Sequence, residues 1–413
     1  MTEAAVTGAG YGDALRSREF RGLFAGQAIS ITGTSVAAVA LTVLVFRRTG
    51  SPFLSSLTFA LGFAPYLLSG ALLSGLVDRV RPRRLVNACS LASAPVVAVM
   101  AWPGLPVPAL LTLLFWLGTL SSLAGGARNA LVRSTVSDAA YVPARSLMKI
   151  AGQTAQIGGN AVGGALVVAL GTSGAILFNA GTFVVSFALV RLVVADHPNL
   201  GTAGRASLLR DSLAGIRDIL GRPAIARLLL LGWLVPMFSV APEALAAPYV
   251  SARHGSATLV GVWLCAIPLG TIAGDVAGVR FAGPHVQRRL VFAVAAAGFV
   301  PYLAFVTRPA IPLALVLLVL SGLAGMYSLG LDARVRDAAP LHLFPRVMAL
   351  NQAGLMTLQG AGFALAGAAA EWIGTGRAIA VAGCCGLAAT TFLALFGRKT
   401  ATAVRDSSNP VAG

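Results

Sequence analysis

Residues 226–250 read ARLLLLGWLVPMFSVAPEALAAPYV, a stretch with one cation, Arg227, and one carboxylate, Glu243. A helix rises ~1.5 Å per residue, so a run of this length covers the ~30 Å hydrocarbon core of a bilayer. The stretch is therefore predicted to be a spanning helix. Similar runs recur near 22–46, 53–76, 85–103, 109–127, 147–169, 174–194, 257–279, 290–307, 310–330, 347–372 and 378–397 of the 413 residues, which makes twelve expected spans. Short connections such as Thr49-Gly50-Ser51-Pro52 and Gly171-Thr172-Ser173-Gly174 carry turn chemistry. The chain is 57% hydrophobic and only 11% charged, whereas a soluble domain carries ~25% charged residues. Its 47 glycines predict close helix packing, because small residues let helices approach in lipid.

A net charge of +17 raises the question of nucleic acid. The basic residues are scattered between apolar runs and form no stripe on a soluble domain, so no nucleic-acid partner is expected. Their placement sets orientation instead. With the N-terminus in the cytoplasm, only Arg47, Arg48, Arg253, Arg308 and Arg377 of the 31 Lys and Arg fall outside. A multi-pass protein of the plasma membrane, with both termini cytoplasmic, follows. The polar first residues have no apolar core of the kind a cleaved leader has, so the first span is expected to be retained.

The expected organisation is a cytoplasmic tail (1–21), a six-helix bundle (22–194), a cytoplasmic linker (195–225), a second six-helix bundle (226–397) and a C-terminal tail (398–413). In the linker, Leu208, Leu209, Leu213, Ile216, Ile219 and Leu220 approximate the stripe of an amphipathic helix on the inner membrane face, with a cytoplasmic extension of the seventh span as the equal alternative. The two bundles are related in sequence. Arg83-Arg84-Leu85-Val86 recurs as Arg288-Arg289-Leu290-Val291 and Gly50-Ser51 as Gly255-Ser256, both at an offset of 205. Gly171-Thr172 recurs as Gly374-Thr375 at 203. Matches at nearly one spacing, at equivalent loops, predict a parallel six-plus-six repeat with a substrate site near the bilayer midplane.

On these residues the chain resembles the major facilitator superfamily, and most of all its twelve-span branch of drug, siderophore and macrolide exporters. The opening Leu15-Arg16-Ser17-Arg18-Glu19-Phe20-Arg21, with Gly26-Gln27-Ala28-Ile29-Ser30, is similar to that branch, as is Arg128-Asn129-Ala130-Leu131. The superfamily signature Gly-x-x-x-Asp-Arg-x-Gly-Arg-Arg is matched by Asp78, Arg79, Arg83 and Arg84, while Ser74, Arg81 and Pro82 depart from it. The resemblance implies that these four residues gate the transporter. The equivalent acid of the second half is replaced by Gly283. Gly158, Gly159, Gly163 and Gly164 resemble the glycine-rich motif of span five without its Gly-Pro. Gly159 and Gly163 form a small-xxx-small surface for helix packing.

An acid inside a span costs ~2.5–3.5 kcal/mol on the insertion scale, so each needs a reason. Glu243 lies on a stretch interrupted by Pro236, Pro242 and Pro248, and prolines are tolerated where a helix lines a cavity. A carboxylate shielded from water holds a proton more readily than one in solution. Glu243 is thus expected to bind a proton or a cationic substrate in alternation, with solvation near the outer surface as the plainer alternative. Asp275, in the eighth span, is a second coupling candidate. Polar stripes at helical spacing, Lys149, Gln153, Gln156 and Asn160 in span five and Gln27, Ser30 and Thr34 in span one, are expected to line the cavity or the seam between halves. The equal alternative is interhelical hydrogen bonding. Glu371 and Asp332 sit near span ends, and the four histidines fall in connections.

Cys89, Cys265, Cys384 and Cys385 lie in apolar segments without metal-ligand spacing and are read as packing residues. No metal, cofactor or enzymatic chemistry is expected, and no phosphate loop of the G-x-x-x-x-G-K-[ST] type occurs. The expectation is a monomeric all-α membrane protein in two six-helix bundles. Its expected partners are a small-molecule substrate, protons and the lipid bilayer. It would export an amphipathic organic molecule by proton-coupled antiport. Uptake by the same fold and a non-transporting receptor or scaffold are the alternatives.

Overall fold

The computed structural model describes residues 10–68, 80–197, 217, 219–340 and 343–407, and the regular elements among them are helical. In chain order, α1 (Tyr11–Arg16), α2 (Arg18–Thr49), α3 (Pro52–Leu68), α4 (Pro82–Met100), α5 (Val107–Thr135) and α6 (Tyr141–Val193) come first. They are followed by α7 (Pro223–Ser239), α8 (Ala241–Ala244), α9 (Ala246–Ser251), α10 (Ala257–Phe281), α11 (Pro284–Ala297) and α12 (Val300–Leu303). The last four are α13 (Ile311–Leu323), α14 (Tyr327–Ala338), α15 (Phe344–Ile373) and α16 (Thr375–Ser407). Proline at the first or second position starts α4, α5, α7, α11, α13 and α15, where its missing N–H is no loss and its fixed φ suits the helix. Most of the predicted linker stripe, including Leu208, Leu209, Leu213 and Ile216, lies outside the described residues.

Among the described residues nine helical stretches are long and apolar enough to cross a membrane, and Pro52–Pro65 is a shorter apolar one. The longest, Asp138–Val193, contains two predicted spans. Gly171, at φ 72°, divides α6 into two limbs, since only glycine adopts that conformation freely. Gly374 has φ 83° between α15 and α16. The Gly171 and Gly374 positions, paired by sequence offset, thus share one backbone conformation. At the other paired loop, Gly50 has φ 66°, but the left-handed residue near Gly255 is its neighbour His254, at φ 56°.

The chain forms two compact units. The first comprises Met1–Arg48, Ala64–Gly204 and Ser256–Val262; the second comprises Thr49–Phe63, Arg205–Gly255 and Trp263–Gly413. The start of α3 therefore belongs to the second unit and the start of α10 to the first.

In the first unit both limbs of α6 grip α2. A Cβ at Gly163 would stand 2.9 Å from Val36 Cα, and one at Gly159 would stand 2.6 Å from the Thr32 carbonyl oxygen. From the other limb, Val193 and Ser186 press on Gly22 and Gly26. Gly164 admits the backbone of Ala257 and Thr258, which is how the start of α10 is held here. At one end of this unit Phe20, Leu23, Val86, Leu131, Ala144 and Val190 form a continuous apolar core.

In the second unit α10 and α13 cross at Gly270 and Gly322, where a Cβ at Gly322 would lie 2.9 Å from Gly270 Cα. The start of α3 is fixed by Phe59 and Phe63, which stack on Phe363 with centroids 5.0 and 5.5 Å away. Glu371 accepts hydrogen bonds from the Ser51 hydroxyl and, at 3.2 Å, from the Phe53 N–H. Large apolar side chains such as Leu192, Phe281 and Trp372 are exposed, as lipid contact requires. Cys89 and Cys265 are buried, but Cys384 and Cys385 are exposed on α16 and do not pack internally as expected.

Candidate coupling site

The helix begun by α7 breaks twice, at Val240 and Leu245, so that α8 and α9 follow as short pieces. Proline has no backbone N–H to donate, and Pro236, Pro242 and Pro248 all fall in this region. Side chains hold two of its carbonyls. The Tyr302 hydroxyl donates to the Ser239 carbonyl at 2.9 Å, and the Trp263 indole N–H donates to the Pro242 carbonyl at 2.8 Å. Both rings are buried. They belong to one aromatic group: Tyr249 lies 4.7 Å from Trp263, and Phe305 lies 6.1 Å from Trp263 and 6.4 Å from Tyr302, centroid to centroid.

Glu243 projects from α8 into a cavity of about 120 Å³ lined by Ser239, Val240, Trp263, Leu264, Ile267, Pro268 and Gln359. None of the ion pairs among the described residues involves Glu243. The carboxyl group therefore faces a small, mostly apolar space whose polar companions are the Ser239 hydroxyl and the Gln359 amide. A water occupies ~30 Å³ of liquid, so the cavity holds a few waters. Pockets for drug-sized molecules run to ~300–1,000 Å³.

The other sequence candidates are dispersed. Asp275 is half-buried in α10 and does not line the Glu243 cavity. In span five Lys149, Gln153 and Gln156 are exposed and Asn160 is buried. In span one Ser30 is buried, Gln27 half-buried and Thr34 exposed, with the Thr34 hydroxyl donating to the Ser30 carbonyl at 2.9 Å. A Cβ at Gly158 would meet nothing within 4 Å, unlike those at Gly159, Gly163 and Gly164. Asp78 and Arg79 lie outside the described residues.

The remaining signature arginines engage the end of α6. Arg83 donates to the Arg191 carbonyl. Arg84 reaches Asp196 at 3.2 Å, and Arg81, which departs from the family signature, reaches it at 2.7 Å. The hydrogen bond from Arg81 holds the Asp196 carboxyl below the usual carboxylate range. Beside it His197 Nε2 lies 2.7 Å from Glu19 Oε2, tying the start of α2 to the end of α6. Sequence reading missed Asp196, His197, Trp263, Tyr302 and Gln359. Gln359 shares its span with Asn351 and Gln352, so its sequence does not single it out. For the others nothing local marks them, because their partners lie far away in the chain.

A chain built of apolar helices long enough to span lipid, with a half-buried carboxyl group among them, is an all-helical multi-pass membrane protein. Residues 23–300 match the Major Facilitator Superfamily, so the chain belongs to that family. Its sequence is similar to the enterobactin exporter EntS of Shigella dysenteriae serotype 1, with 26% identity over 277 residues, covering 64% of each chain. It is also 26% identical over 281 residues to EntS of Escherichia coli O1:K1 / APEC. The chain thus spans 64% of the length of these relatives. Its fold is like that of the nucleoside transporter NupG, with TM-score 0.75 and 9% identity over 91% of this chain and 99% of that one. A bacterial homologue of the human lysosomal transporter Spinster gives TM-score 0.69 and 16% identity over 92% and 95%. At these identities the two structures speak for the fold alone.

Proposed function

We propose that this transporter exports a small amphipathic organic molecule by alternating access in exchange for protons, and that Glu243 is the group that takes up and releases the proton. The observation that carries the reading is the Glu243 cavity. It presents a carboxyl group without a cationic partner among the described ion pairs, in a space of about 120 Å³. That volume suits a proton and its waters and is well below the ~300–1,000 Å³ of sites for drug-sized molecules, which favours proton binding at Glu243 over binding of a cationic substrate. Similarity to an enterobactin exporter favours export over uptake. A gating role for Asp78, Arg79, Arg83 and Arg84 and a cavity role for Gln27, Ser30, Thr34, Lys149, Gln153, Gln156 and Asn160 belong to the same reading. So does location in the plasma membrane with both termini inside.

The test is transport by Glu243→Gln in inverted vesicles under an imposed proton gradient, at matched expression. Gradient-driven accumulation is expected to disappear, while cargo equilibration without a gradient persists. Gradient-driven accumulation at the unmodified rate would overturn the assignment.

A further inference from the structure

In the second unit two arginines converge on one buried ring. Arg227 of α7 places its guanidinium carbon 4.5 Å from the centroid of Phe292, and Arg334 of α14 places its own at 5.7 Å. Phe292, on α11, is 8% exposed, and both arginines are half-buried. A long basic side chain at a span end ordinarily extends its charge toward water. These two instead lie against an apolar ring, and their positive charges oppose one another.

A ring face attracts a cation by only ~0.5–2 kcal/mol, and it does not neutralise a pair. Carboxylates neutralise other arginines of this chain. Asp196 takes both Arg81 and Arg84, and on the same two helices, α11 and α14, Arg288 Nε lies 3.5 Å from Asp337. Neither Arg227 nor Arg334 belongs to an ion pair among the described residues. Two half-buried like charges set against one ring, with no anion among the described ion pairs, are stabilised by one that arrives from outside. The guanidinium fork matches the oxygens of phosphate.

We propose that Arg227 and Arg334, both set over Phe292, form a binding site for a phosphate group, either the headgroup of an anionic phospholipid or free phosphate. In the orientation set by the basic residues this end meets the inner leaflet, where basic pockets between spanning helices bind lipid headgroups. The site is independent of Glu243 and of the direction of transport.

The test uses the purified full chain in an uncharged detergent. Its thermal unfolding midpoint is followed against phosphatidylglycerol, phosphatidylcholine and inorganic phosphate at matched ionic strength. Phosphatidylglycerol or phosphate is expected to raise the midpoint. Arg227→Gln and Arg334→Gln should each weaken the half-saturating concentration by about tenfold or more, as loss of a charged hydrogen-bond partner implies. Arg336→Gln, exposed on α14, serves as the control and should change it by less than about twofold. A response to phosphate alone identifies a soluble anion, and a response only to phosphatidylglycerol identifies the lipid; either supports the site. Equal protection by phosphatidylcholine, or an unchanged response in both glutamine variants, overturns it. Should the variants fail to fold, added KCl decides with the unmodified chain. A contact made by two arginines must weaken with salt, and a salt-independent response rejects the proposal.

Discussion

Tyr302→Phe removes one oxygen from a ring with no exposed surface and leaves its packing intact. What is lost is the hydrogen bond to the Ser239 carbonyl at 2.9 Å, which stands where the α7–α9 helix is broken. Two estimates bracket the effect. Hydrogen bonds between helices in membrane bundles average ~0.6 kcal/mol and reach ~1.7, because the alternative state also finds partners. An acceptor left buried and unsatisfied costs ~1–3 kcal/mol. If the helix re-closes so that a backbone N–H reaches Ser239, the lower figure applies; if Pro236 and Pro242 keep it broken, the higher one does. The prolines remain in the variant, so a loss of about 1–2 kcal/mol is expected. Titration of the purified protein with sodium dodecyl sulfate in mixed micelles reads it. Proton coupling should fall as well, since Ser239 lines the Glu243 cavity. Tyr249→Phe is the control. It deletes another buried hydroxyl bond, to the Pro309 carbonyl at 2.8 Å, and should lower stability comparably with coupling unchanged. If Tyr302→Phe loses less than about 0.3 kcal/mol, half the average for such a bond, and couples normally, then Tyr302 does not hold the break open.

Two further outcomes are expected. Gly163→Ala should destabilise the first unit by ~1–3 kcal/mol through overpacking against Val36, whereas Gly158→Ala, facing open space, should stabilise its helix by up to ~1 kcal/mol; detergent unfolding of both variants compares them directly. Asp196 titrates below its ordinary value through the Arg81 hydrogen bond. Its contribution is therefore fully present above the unfolded value of ~3.9 and is lost as pH falls through the folded one. Between pH 7 and 5 the unfolding midpoints of the unmodified chain and Asp196→Asn should run parallel; below about pH 4 the gap between them should close.

Most of the spans were legible because hydrophobic run length is a local property, but the expected span 85–103 is not among the nine described stretches apolar and long enough to cross. The break at Gly171 was legible too, since turn residues mark it. The bounds of the compact units were not. The start of α3 groups with residues 363–371 through Phe59, Phe63 and Glu371, and nothing near residue 50 announces that. Glu243 stood out as an acid among apolar residues. Tyr302, Trp263 and Gln359 did not, because aromatic rings and single amides are ordinary in such helices and their meaning comes from distant partners. The span-five stripe reads as one face by spacing, yet only Asn160 of its four members is buried. Periodicity puts residues on one face of a helix without fixing what that face meets.

The helix break also bears on which ion the proposed exchange uses. In transporters with discontinuous helices, unwound backbone carbonyls help to coordinate the coupling cation. In this chain the Ser239 carbonyl already receives the Tyr302 hydroxyl, the Pro242 carbonyl receives the Trp263 indole, and the Ser239 hydroxyl donates to the Pro236 carbonyl at 3.1 Å. A metal cation would have to share oxygens that each already accept one bond, in an aromatic setting that offers few further ligands. A proton needs no shell, only one carboxyl oxygen and a path of water. Under the proposed exchange, the same bonds favour a proton at Glu243 over sodium. Trp263→Phe frees the Pro242 carbonyl without adding charge. If the unmodified chain is driven by a sodium gradient as well as by a proton gradient, the carbonyls are not withheld, and this account of the ion fails.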